Sequence, residues 1–373
     1  MNTLIGAECV VSPLAITAAD NFDLISKGKS AIKLDTAIPD YNRNLSAAIF
    51  DDTMIAELTN GSHSKIESIS LAAIKGSLAR IHQDRLGKTL VILSTTKGDI
   101  DQLQKGDYEK ARPTVLCENI VSSLPFEVES RVISMACISG LLSMIHAHDL
   151  IRSKRFESII VVGVDLVSKF TASGFESFFA MSKDYCKPYD MNRSGLNLGE
   201  AAACVILSNN KDLYKEECMV FSGGASSNDA NHISGPSRTG EGLVRAIEKA
   251  LQLSNTNKKD IDFISSHGTA TLYNDDMESI AFNRTQLASV PTSSFKGYFG
   301  HTLGAAGVLE MAMCIQSMKN NLLIKNLGLN EQGCAEEINV LADNIEIECN
   351  TILKTASGFG GCNAAAVVKK MNL

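Results

Sequence analysis

Cys137, His267 and His301 are residue types that do nucleophilic or proton-handling chemistry, and each stands where an apolar run meets a turn. Cys137 lies in "SMACISGLLS", between the β-like "ESRVISM" and the apolar "LLSMIHAHDLI". A strand therefore stops and a helix starts at this cysteine. A helix N-terminus offers free backbone N–H groups and partial positive charge, and the thiolate is the reactive form of cysteine. Taken alone, the position favours a plainer reading, because free cysteine is among the most buried residue types.

Four stretches of the second half bear on that choice. "SSHGTATLYND" (265–275) puts His267 at the end of an apolar strand. "SSFKGYFGHTLGAAGVLE" (293–310) sets Lys296 and His301 around a glycine turn, with Glu310 nine residues beyond His301. "ASGFGGCNAAAVV" (356–368) is a glycine-rich turn entering a strand, and "GGASSNDANHISGP" (223–236) is a fourth polar, glycine-containing segment. Each has a structural alternative: a satisfied strand-end histidine, small residues packing helices closely, an exposed loop lysine. "GFGG" lacks the GxGxxG spacing of a phosphate-binding turn.

The elements that must hold these residues alternate in type. "TLIGAECVV", "TLVILSTT", "RVISMACI", "SIIVVGVDLV" and "AAACVILS" read as buried strands, separated by helical patterns such as "SKIESISLAAIKGSLARIHQ". The polar stretch "SNNKDLYKEE" (208–217) marks a boundary, after which the alternation repeats through "CMVFSGGAS", "IDFISSHGTA", "VPTSSFKGY", "NTILKTASGF" and "NAAAVVKK". Helices fit at "GLVRAIEKALQL" and "AAGVLEMAMCIQSM". The class is α/β with buried sheets, and the repeat of element order points to two similar halves, 1–209 and 210–373.

Composition narrows the function classes. A formal charge of −7 argues against a broad nucleic-acid footprint. The ten cysteines are scattered with no CxxC pair, so a zinc site or a disulfide scaffold is poorly supported. No apolar run approaches the roughly 18–20 residues that span a bilayer. "MNTLIGAECVVSPLA" has no cationic stretch of the signal-peptide kind. The expected setting is a reducing cytoplasm, with no membrane insertion.

Taken together, the motifs resemble the β-ketoacyl-acyl-carrier-protein synthases, the elongating condensing enzymes of fatty-acid and polyketide synthesis. "GAECVVSPLAITAADNFDLISKGKS" looks like the family's first strand, turn and helix, and "SMACISG" resembles its nucleophile motif. "CKPYDMNRSGLNLGEAAA" (186–203) is similar to R-P-F-D-x-x-R-x-G-x-x-x-G-E-G-A, and "HGTAT…ND", "K…GHTLGAAG…E" and "GFGGCN" follow in the expected order.

The resemblance implies the thiolase fold, two duplicated α/β halves in a layered αβαβα arrangement. It implies Cys137 as the acylated nucleophile and the N–H groups of Cys137 and Phe359 as an oxyanion hole. It gives His267 and His301 the role of neutral N–H donors to the malonyl-derived enolate. Lys296, with Glu310 as its buried acidic partner, supports them. No metal or organic cofactor is required. The implied partners are the acyl and malonyl forms of an acyl-carrier protein, and a second copy or related subunit in a dimer. Arg152, Lys154 and Arg155 in "LIRSKRF" are one candidate carrier-docking patch, with a solvated helix end as the alternative.

Departures from the pattern limit the carry-over. Lys187 and Tyr189 replace the usual Arg and Phe, and Lys lacks the fork geometry of Arg. Cys362 stands where Thr or Ser is usual, and residues 95–130 form a shorter segment than typical elongating synthases have. That segment contributes to the acyl pocket in the family, so chain length transfers least and the reading tilts to a specialised pathway. A degradative thiolase would need a second catalytic cysteine in a C-terminal Cys-x-Gly motif. An initiating synthase would carry Asn at the position of His301. The alternative of a weakly catalytic chain-length-factor-like subunit sits uneasily with Cys137, His267 and His301 all present.

Overall fold

The computed structural model describes residues 2–59, 63–229 and 235–371. Ten strands form one sheet: β1 (Thr3–Val11), β2 (Thr89–Ser94), β3 (Glu129–Ile133), β4 (Ser158–Asp165), β5 (Ala201–Ser208), β6 (Met219–Asn228), β7 (Phe263–Ser265), β8 (Thr292–Ser293), β9 (Thr351–Gly358) and β10 (Cys362–Lys369). Their spatial order is 3-2-4-5-1-6-10-9-7-8. The first five strands and the last five thus follow the same path, mirrored about the antiparallel β1–β6 pair that joins Thr3–Ile5 to Met219–Phe221. Strand directions repeat as well: β2 is parallel to β3 and β4, and β7 is parallel to β8 and β9.

The helices that matter for the site are α1 (Lys65–Ala79), α2 (Ser139–Arg152), α3 (Lys169–Ser177), α4 (Glu241–Leu253), α5 (Leu272–Arg284) and α6 (Ala306–Asn320). Residue pattern sorts them into layers. In α4 the buried positions recur at helical spacing (Leu243, Val244, Ala246, Ile247, Ala250, Leu251), which suits one covered face. In α6 every residue from Ala306 to Met318 is buried, as befits a helix enclosed on all sides. Strand alternation agrees. Ile159 and Val161 of β4 face α2 and α6, whereas Ile160, Val162 and Val164 face α1. In β10, Ala364, Ala366 and Val368 face the same central helices, and Ala365 and Val367 face α4. The result is the αβαβα layering expected from the resemblance, with α2 and α6 between the two sheet halves.

These two central helices carry the site. They touch through glycines near their starts: a Cβ on Gly307 would lie 2.4 Å from the Leu141 nitrogen, and one on Gly140 would lie 2.9 Å from the Val308 nitrogen. Only glycine permits that approach, which draws the two helix starts, and hence Cys137 and His301, together. Five short strands outside the ten-stranded sheet carry no clear sequence signal: Lys33–Ala37 pairs with Asn44–Ala48, which pairs with Leu198–Gly199, and Leu322–Leu323 pairs with Ile345–Glu346. They are short and half exposed, so they lack the apolar run that marked the others. No helix among the described residues is long and apolar enough to cross a membrane.

Candidate active site

The candidate residues follow the C-terminal ends of four strands: Cys137 after β3, His267 after β7, Lys296 and His301 after β8, and Phe359 after β9. Strand ends in α/β sheets are where binding crevices form. Here the separate ends converge. The side chains of Cys137, His267 and His301 line one cavity of about 620 Å³, together with Phe359.

Cys137 sits on a strained turn, since Ala136 before it has φ of 42°. His301 Nε2 lies 3.0 Å from Cys137 Sγ. The backbone N–H of Leu303, itself at φ 53°, donates to His301 Nδ1 at 3.3 Å. Nδ1 is therefore the acceptor nitrogen, and the ring proton belongs on Nε2, aimed at the sulfur. The Phe359 backbone N–H lies near enough to the Cys137 thiol to favour its ionised form slightly. Gly358 lets that chain come close, because a Cβ there would lie 3.0 Å from the Cys137 nitrogen.

Lys296 is 1% exposed and serves three acceptors. Its Nζ donates to the His267 carbonyl at 2.6 Å and to Glu310 Oε1 at 2.7 Å, and lies 3.2 Å from His267 Nδ1. That contact again leaves the proton on Nε2 of His267. The two imidazoles meet edge to face with centroids 5.3 Å apart. Burial first, then the Lys296 ammonium, holds both histidines well below their ordinary pKa. Both are neutral N–H donors at neutral pH.

Glu310 is wedged between two ammonium groups, with Lys354 Nζ 2.7 Å from its second oxygen. Burial would raise its carboxyl, but Lys296 and Lys354 together bring it below the ordinary range. Lys354, fully buried, was not singled out in sequence, although a lysine inside the apolar strand "TILKTA" is the kind of local contradiction that marks a site. Glu278 was also missed. It accepts from the N–H groups of His267 (2.8 Å) and Gly268 (2.6 Å) and from the Tyr189 hydroxyl (2.9 Å). The Tyr for Phe departure is thus absorbed by a partner for the added hydroxyl. Asp165, at the end of β4, accepts from Gly304 N–H (2.7 Å) and pairs with Lys97 (2.8 Å), fixing the turn between His301 and α6.

Two expectations need correction. A helix N-terminus favours the Cys137 thiolate, yet the group is 6% exposed and burial pushes the thiol up to about 12. The helix starts at Ser139 rather than at Cys137, so desolvation wins over the N–H donors. The resting group is a thiol. Alkylation of Cys137 by iodoacetamide should therefore keep rising with pH, about tenfold per unit, through pH 9; a rate already level at pH 7 would contradict this. Second, Arg152, Lys154 and Arg155 lie at the far end of α2 from Cys137, roughly 20 Å away at 1.5 Å per residue, and none lines the cavity. They do not flank its mouth. The mouth carries Phe179, 93% exposed, and Tyr273, 77% exposed. Part of the fourth stretch, residues 230–234, lies outside the described residues.

A duplicated αβαβα chain with a buried cysteine facing two neutral histidines defines a thiolase-fold protein built for acyl chemistry. The chain belongs to the β-ketoacyl synthase family: the family's N-terminal domain matches residues 4–212 and its C-terminal domain matches residues 218–330. It is 25% identical to 3-oxoacyl-acyl-carrier-protein synthase 2 of Coxiella burnetii over 97% of both chains. It is 29% identical to the tetracenomycin polyketide synthase ketoacyl synthase alpha subunit of Streptomyces glaucescens, over 69% of this chain and 64% of that one. The ishigamide ketosynthase/chain length factor structure has the same fold, with a TM-score of 0.86 and 23% identity over 100% of this chain and 99% of that one.

Proposed function

We propose that the protein extends an acyl chain by decarboxylative Claisen condensation with malonyl-acyl-carrier protein. The observation that carries this is the pair of neutral Nε2–H donors, His267 and His301, set beside one buried cysteine. In the first step Cys137 attacks the acyl thioester. Its proton passes to the departing carrier thiol, and the Cys137 and Phe359 N–H groups take the charge on the carbonyl oxygen. In the second step the malonyl group loses CO₂, and negative charge grows on its thioester oxygen. Both imidazole N–H groups stabilise that enolate, which attacks the acyl-cysteine carbonyl and expels the Cys137 thiolate; a proton from solvent restores the thiol. Lys296 holds His267 in the donor tautomer and Glu310 balances Lys296, so neither needs to transfer a proton. The 1–209 and 210–373 halves divide this work: the first supplies the nucleophile, the second the histidines.

The division of labour is testable. His267→Ala and His301→Ala should each slow malonyl decarboxylation roughly a hundredfold or more, the usual cost of losing one oxyanion donor, with a smaller effect on the first acylation. Mass spectrometry of the carrier-bound product separates the two steps. Variants that lose acylation while decarboxylating normally would overturn the assignment.

A dimer is the second part of the proposal. The β8 edge of the sheet is covered, since Thr292 exchanges hydrogen bonds with Asn339 and Leu341. The β3 edge has no strand neighbour among the described residues, and Met135 beside it is 47% exposed. An open edge is a template for pairing, here with a second copy or a related subunit next to the Cys137 turn. Light scattering of the isolated chain distinguishes a homodimer from a monomer awaiting its partner.

A further inference from the structure

A second cavity, of about 920 Å³, opens where the ends of β1, β5, β6 and β10 meet, at the opposite end of α2 from Cys137. Its lining includes Arg152, Lys154, Lys369 and Lys370 and no carboxylate. Lys370 Nζ donates to the neutral Asn321 amide oxygen at 2.6 Å, and Lys369 Nζ to the Ser254 carbonyl at 3.4 Å, so neither charge is neutralised by these contacts. The lining also includes two buried polar side chains without partners. His148 is 5% exposed and neither ring nitrogen has a hydrogen-bond partner; Thr3 is 1% exposed and its hydroxyl has none. Buried donors left unmatched are costly and uncommon in folded proteins. The His148 ring packs on Phe221 at 5.4 Å, and Ile151, Val220 and Leu253 add apolar wall. The nearest acid in sequence, Asp149, is exposed and does not line the cavity.

We infer that this cavity binds a small molecule bearing a pyrophosphate group, with His148 and Thr3 meeting its inner oxygens and the four cations surrounding the rest. Concavity favours a small anion over a docked acidic protein. The volume is that of a ligand pocket, and the unmatched polar atoms of His148 and Thr3 are buried in its lining rather than displayed on an open surface. Four cationic residues on a lining without a carboxylate match a polyanion better than a single carboxylate. The apolar wall beside Phe221 suits an organic substituent, so an ester such as a nucleoside diphosphate fits as well as free pyrophosphate. With His148 neutral in the empty cavity, where burial holds its pKa down to about 4, the ring still offers one N–H. The inference is independent of the condensation reading, since no residue here lines the catalytic cavity.

Isothermal titration calorimetry of the full chain, at one fixed salt concentration, tests it with sodium pyrophosphate, ADP and adenosine. Saturable binding of one pyrophosphate or ADP per chain is expected, with none of adenosine. Tighter binding of ADP than of pyrophosphate would identify an ester as the ligand, and the reverse would identify the free anion; either supports the site. Arg152→Glu with Lys370→Glu should weaken that binding at least tenfold. Arg152 is exposed and Lys370 only half-buried, and Lys370→Gln alone, a milder change, should weaken it in the same direction. Absence of saturable heat with both pyrophosphate and ADP overturns the inference, as does unchanged affinity in the folded double variant. A raised carrier-protein KM in the double variant without any anion binding would also overturn it, and would return this patch to protein docking.

Discussion

Cys137→Ser should abolish covalent acyl loading from the carrier, with at least a thousandfold loss of condensation; deleting a covalent nucleophile costs on the order of 10⁶ in well-measured hydrolases. The serine hydroxyl would occupy nearly the same place, 3.0 Å from His301 Nε2 in the parent. It would lack the polarisable, ionisable sulfur, and His301, proton-bearing at that nitrogen, offers no base to activate it. The informative controls are the neighbours. Cys362 lies close enough to interact electrostatically with Cys137, but its sulfur points at the carbonyls of Phe359 and Met135. Cys204 is fully buried in β5. Serine at either position should leave loading largely intact. Acyl label on Cys137→Ser, read by peptide mapping, would move the nucleophile elsewhere, and loss of label in Cys362→Ser alone would point to that thiol.

The parts legible in sequence were those set by local pattern. Most of the ten principal strands are apolar runs bounded by polar turns, Thr292–Ser293 and the half-polar Glu129–Ile133 being the exceptions, and both central helices could be read from spacing. Cys137, His267, Lys296, His301, Glu310 and Phe359 come together in the fold. What sequence did not display was the wiring across distance. Lys354 meets Glu310 only because β9 runs beneath α6, and Glu278 reaches the His267 turn only once α5 has folded back on β7. Nothing local to either residue names its partner. The resting thiol has the same origin, because the helix start is a local signal, whereas the burial that outweighs it depends on both halves closing over the turn. Arg152, the last residue of α2, and Lys154, just past it, lie at the opposite end of that helix from Cys137, so closeness in sequence to the nucleophile motif did not bring them to the cavity.

Glu310→Gln should cost about 3–5 kcal/mol of stability, the range for breaking a buried ion pair by removing one partner. Glu310 sits between Lys296 and Lys354, both at most 1% exposed, with each ammonium 2.7 Å from one of its oxygens. The neutral amide leaves two buried cations about a shared centre with no anion between them. Lys354 would keep its bonds to the carbonyls of Ser265, Ser266 and Thr355. Lys296 would keep the His267 carbonyl, so the turn would survive in weakened form. The sign with pH is fixed by Glu310 itself. Its folded-state pKa lies below the unfolded value, so the carboxylate stabilises the fold above the ordinary glutamate range, and that contribution fades as pH falls through the lower folded value. Urea unfolding at pH 7 should show the full deficit of Glu310→Gln, and the gap to the parent should narrow as the pH is lowered toward 3. Removing one cation as well, in Glu310→Gln with Lys354→Met, should recover part of the loss, because the central repulsion goes with it. A single variant within 1 kcal/mol of the parent at pH 7 would mean that the two lysines are served by water and carbonyls rather than by Glu310.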